Sequence, residues 1–67
     1  MQIKEIKKTF ETSPDPEIRK KCLDALEIYG NEGIPVILDL IRITMNKDVK
    51  SHGLDLIKKM ENSINTS

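Results

Sequence analysis

Cys22 and His52 are the only cysteine and the only histidine in a chain of 67 residues. As a thiolate–imidazole pair they could do nucleophilic chemistry, given a shared site and hydrogen-bond reach. Cys22, however, falls on the apolar stripe of a helical pattern, where a small buried packing residue is expected. His52 falls among polar neighbours and is expected to face solvent. The two positions should lie off each other's helix faces, so no catalytic pair is read from them. Zinc needs three or four ligands at suitable spacing, and the chain offers no such set. Asp24 with Glu27, and Asp39 with Asp55, are the carboxylates that could work as acid and base. Surface helices carry such pairs routinely, and nothing suggests a cleft that would raise a pKa. Gly30-Asn31-Glu32-Gly33 lacks the strand, the lysine and the third glycine of a phosphate loop. The expectation is a non-enzyme with no cofactor, no metal and no small-molecule substrate.

Phosphate contact is the other chemistry on offer. Arg19, Lys20 and Lys21 are consecutive, with Lys4, Lys7 and Lys8 upstream, and two helices packed together could merge them into one basic patch. Against this, Arg19 is spaced to pair with Asp15, and the lysines alternate with Glu5, Glu11, Asp24 and Glu27. Eleven basic and eleven acidic residues leave a net charge of +0, so no overall field draws nucleic acid. One Phe, one Tyr and no Trp also leave little for bases to stack on. Backbone binding to nucleic acid is therefore the alternative reading, not the first.

The elements that would position these residues are helices. Ile3, Ile6 and Phe10 recur on one side of a first short helix, which Ser13-Pro14 ends. Asp15 is a natural N-cap, and Pro16 suits the first helical position because its missing N–H is not needed there. Ile18, Cys22, Ala25, Leu26 and Tyr29 then form one stripe with Leu23 on its flank, and Gly30 can close the helix in a left-handed conformation. A third helix, Ile34 to Met45, carries Ile34, Ile37, Leu38 and Ile41, widened by Val36, Leu40, Ile43 and Met45. An element apolar over most of its circumference should sit between neighbours. Asn46 caps a fourth helix, with Val49, Gly53, Leu56, Ile57 and Met60 facing inward and Glu61 onward a frayed polar tail.

The second half of the chain echoes the first. One register lays Ile3 on Ile34, Ile6 on Ile37, Phe10 on Ile41, Asp15 on Asn46, Ile18 on Val49, Leu23 on Leu54, Asp24 on Asp55 and Tyr29 on Met60. A period of this size in a helical sequence points to stacked helix hairpins. The segment Asp15-Pro16-Glu17-Ile18-Arg19, with Ala25-Leu26, Gly30 and then Ile34-Pro35 and Leu38, resembles a HEAT repeat of the short, bilin-lyase-like type. The resemblance covers Ile3 to Met60. Its second copy, Asn46-Lys47-Asp48-Val49-Lys50, has Asn for Asp and Lys for Arg, which breaks a regular Asp–Arg ladder. Membership would imply stacked hairpins and partner binding, and no chemistry; an accessory lyase-like role is the enzyme class its family name suggests.

The expected architecture is thus all-α: two stacked antiparallel helix hairpins, four helices in a HEAT-like α–α superhelix fragment. It is read as one domain over residues 1–60, with repeats at about 2–30 and 33–60 and a polar tail at 61–67. A closed four-helix bundle is the competing arrangement. One cysteine precludes an internal disulfide and fits a reducing compartment. The N-terminus lacks the apolar core of a signal peptide, and the run around Ile34 to Leu38 is too short to cross a bilayer. A cytoplasmic protein without membrane contact is expected. Two repeats are fewer than the three or so that stacking needs, so apolar surface should remain at the ends, for a protein partner or a second copy. Arg19, Lys20, Lys21, Leu40, Ile43, Met45 and Met60 are the candidate interaction surface.

Overall fold

A computed structural model describes residues 2–65 of the chain. It contains four α-helices: α1 (Ile3–Thr12), α2 (Pro16–Glu27), α3 (Gly33–Ile43) and α4 (Lys47–Asn65). A 3₁₀ turn, Gly30–Glu32, joins α2 to α3. The helices form two antiparallel hairpins, α1–α2 and α3–α4, stacked in layers: α1 lies against α3, and α2 against α4. In a closed up-and-down bundle α1 and α4 would be neighbours, but here they share no packed face.

Local chemistry sets the helix limits. The Asp15 side chain accepts from the Glu17 N–H at 2.9 Å, and Asn46 accepts from the N–H groups of Asp48 at 2.9 Å and Val49 at 3.1 Å. Each cap satisfies donors that have no partner within the helix. Ile28 and Tyr29 keep helical dihedrals beyond the end of α2, and Gly30 then turns the chain at φ +60°. Helix α3 stops at Ile43, short of the expected Met45, because Thr44 swings to φ −79°, ψ 137°. Its hydroxyl then accepts from the Asn46 N–H at 3.3 Å, a local bond that competes with further helix. Helix α4 runs on to Asn65, past the expected boundary at Met60. Thr66 and Ser67, the end of the expected tail, lie outside the described residues.

The register match extends to individual bonds at the two inter-helix corners. The Ser13 N–H donates to the Thr9 carbonyl at 3.0 Å, and its register partner Thr44 donates to the Leu40 carbonyl at 3.2 Å. The Asp15 N–H reaches the Ser13 hydroxyl at 3.4 Å, just as Asn46 reaches Thr44. Both corner residues are extended, at ψ 126° and 137°.

The core runs through both layers: Ile6 and Phe10 of α1, Leu23 and Leu26 of α2, Ile37 and Leu40 of α3, Val49 of α4. Helix α3, the most apolar, packs on all three others. Leu23 was placed on a flank by the spacing, but it is fully buried because α4 covers that side of α2. Ile18, expected in the stripe, is exposed at the outer face of the first hairpin, and Leu38 is exposed at that of the second.

Gly53 shows how closely α4 approaches α3 within the second hairpin. A methyl placed there would collide with Ile41 Cγ2 and touch Leu23 Cδ1 at 3.4 Å and Ile37 Cγ2 at 3.5 Å. The Ile41 methyl sits on a stiff β-branched carbon and cannot swing aside. Gly53→Ala should therefore destabilise by about 1 kcal/mol net, the overpacking cost exceeding the roughly 1 kcal/mol gained in helix propensity. Ile41→Leu removes that branch and should recover most of the loss in the double variant, read by urea unfolding. A single variant more stable than the parent would contradict the close approach.

Candidate interaction surface

Two of the three consecutive cations, Arg19 and Lys20, are engaged within the molecule. The Arg19 Nε–H donates to the Ser13 carbonyl at 2.7 Å and a terminal N–H reaches the Thr44 hydroxyl at 3.4 Å. Its guanidinium carbon stands 5.1 Å from the centre of the Phe10 ring. Arg19 thus ties the α1–α2 corner to the α3–α4 corner, and the expected pairing with the Asp15 carboxylate is replaced by these contacts. Asp15 is occupied as a helix cap. Lys20, half-buried, lies 3.7 Å from Glu17, and only Lys21 of the three is exposed.

Two of the apolar candidates are also core. Leu40 is 1% exposed and Met60 6%, and both belong to the hydrophobic core. Ile43 and Met45 do lie at the surface, Met45 at 94% exposure. Spacing on α3 alone did not say which side of a two-sided apolar helix a neighbour would cover.

Across the α2–α4 junction a hydrogen bond and an ion pair form. His52 Nε2 lies 2.6 Å from Asp24 Oδ1, with the ring nitrogen donating because a carboxylate only accepts. Lys59 lies 3.3 Å from Glu27. His52, expected to face solvent, is half-buried by this contact with α2. Its partner is Asp24 and not the thiol. Cys22 is buried, and desolvation pushes its thiol above the ordinary range, which keeps it protonated and a poor nucleophile. Among the described residues no three His, Cys, Asp or Glu side chains gather as a metal site, and no helix is long and apolar enough to cross a membrane.

The open faces emerge when burial is compared along the register. Arg19, Lys20, Leu23 and Glu27 form a stripe on α2 that is buried or half-buried beneath the second hairpin. Their counterparts on α4, Lys50, Ser51, Leu54 and Lys58, are all exposed. In the opposite sense, Leu40, Thr44, Val49 and Leu56 are buried, while Thr9, Ser13, Ile18 and Ala25 are not. Each hairpin therefore covers one face of the other, and the equivalent faces at the two ends of the stack stand open. The exposed apolar residues there are Ile18 and Ile28 at one end and Leu38 and Leu54 at the other. None of these was singled out from the spacing as surface. The sequence signal that would have found them is the register itself, since the stripe of α2 that meets the second hairpin recurs on α4.

No protein-family model, curated protein or solved structure matches this chain.

Proposed function

We propose that this protein is a non-catalytic, HEAT-like protein-interaction or adaptor module that binds helical protein surfaces through the ends of its stack. The observation that carries the reading is the pair of open end faces, each equivalent to a face that is covered inside the molecule. Ile28 at 86% exposure and Leu54 at 51% are the apolar contacts such a face would bury. The alternative, a phosphate-backbone binder, loses support because Arg19 is spent on Ser13, Thr44 and Phe10 and Lys20 stands beside Glu17.

Ile28→Glu and Leu54→Glu test the reading, since both side chains point to solvent and neither should disturb folding. Partners captured by the wild-type chain would be purified and their affinities measured directly. Each variant should weaken binding at least about tenfold at its own end, the effect of removing a central apolar contact. Thermal midpoints should stay within about 2 °C of wild type. Unchanged affinity in both variants would contradict the proposal.

A further inference from the structure

We infer that the open face of α4 takes the outer face of α2 from a second copy of this chain, in the register that α4 and α2 adopt within one chain. The inference rests on the interaction-module reading and names its partner. The internal junction serves as the template. There Arg19 faces Thr44, Asp24 faces His52, Leu23 faces Gly53 and Glu27 faces Lys59. Moving each residue to its register partner sets Lys50 toward Ser13, Asp55 toward Lys21, Leu54 toward Cys22 and Lys58 toward Ile28 of the second copy.

The charges match in this arrangement. Asp55 and Lys21 are both exposed and replace the Asp24–His52 pair with one of the same polarity. Lys50, exposed, replaces Arg19 as the donor to a corner hydroxyl, and Ser13 sits in a corner built with the same bonds as that of Thr44. Lys58 meets Ile28 and not a second cation, so its methylene stem lies along an apolar side chain while the ammonium reaches water. Ile18 stands where Val49 stands inside, and offers the exposed apolar residue nearest the corner.

The outer junction differs at one point. Cys22, itself buried, occupies the position of Gly53, so a thiol side chain stands where a glycine faces Leu23 inside the molecule. The contact joins unlike faces, so it does not close on itself and grows head to tail with concentration.

Sedimentation equilibrium of the purified chain tests this. The weight-average mass of the wild type should rise past that of a dimer as concentration increases. Lys21→Glu alone and Asp55→Lys alone should each weaken association about tenfold, because an attractive pair becomes a repulsive one at every junction. An equimolar mixture of the two variants, or the double variant in one chain, should restore it. Association that stops at two chains, or that ignores both charge reversals, would overturn the head-to-tail register. A chain that stays monomeric at every concentration would overturn the second copy as occupant. Neither result bears on the module reading, which fails only if Ile28→Glu and Leu54→Glu leave partner binding unchanged.

Discussion

Gly33→Ala should be close to unfolding the protein. Gly33 opens α3, and a methyl there would run into the carbonyl oxygen of Leu26, with the Leu26 carbonyl carbon at 3.1 Å. These are backbone atoms of the last turn of α2, so no side-chain rotation relieves the collision. The same oxygen accepts the Tyr29 N–H at 3.1 Å, which fixes it further. Relief would require the end of α2 and the start of α3 to part, and that is the joint between the two hairpins. A forced backbone shift of this kind costs about 3 kcal/mol, and alanine at the first helical position returns little of it. For a chain of 67 residues the whole stability is only about 3–10 kcal/mol. The thermal midpoint should fall by more than about 10 °C in circular dichroism. Gly30→Ala makes the useful comparison: nothing lies within 4 Å of a methyl there, and only the φ of +60° penalises it, at roughly 1–2 kcal/mol. Equal effects at the two positions, or a midpoint unchanged at Gly33, would contradict the contact.

Arg19→Ala should cost about 2–3 kcal/mol, from a charge-assisted bond to a carbonyl together with a cation–π contact. Arg19→Lys should restore less than half of it. Lysine keeps the charge but cannot hold Ser13 and Thr44 at once while lying flat on Phe10. Salt separates this role from an ion pair. The partners of Arg19 are a carbonyl, a hydroxyl and a ring, so the cost measured in urea should be the same in low and high salt. A surface pair with Asp15 would instead give a small loss that vanishes as salt rises. A lysine variant as stable as wild type would remove the corner tie from the account.

Much of the fold was legible because local chemistry and global packing agree. Asp15-Pro16 and Asn46 announced two helix starts, and both side chains cap as the residue types require. The stripes of Ile6 and Phe10, and of Ile37 and Ile41, faced the core as spaced. The surface was harder to read, for a physical reason. A helix in a layered stack has two covered sides, and periodicity reports apolar residues without saying which layer covers them. Leu40 and Met60, read both as apolar stripe and as candidate surface, lie in the core, while Ile28 and Leu54 were passed over and lie open. Arg19 misled differently. The acid spaced to pair with it, Asp15, was not its partner, because the Ser13 carbonyl of its own corner and the Thr44 hydroxyl of the stacked corner take its N–H groups. Gly53 was legible as a place of close approach, since a mid-helix glycine needs a reason, but the residue it makes room for, Ile41, was not.

The account depends on two copies of a hairpin lying in layers through α2 and α4. A methyl-resolved NOE spectrum of the chain tests this most directly. It should connect the Gly53 α protons to the methyls of Leu23 and Ile41, and Thr44 to Arg19, with no regular series between α1 and α4. Absence of the first set together with a continuous α1–α4 series would mean a closed bundle. The open end faces would then not exist.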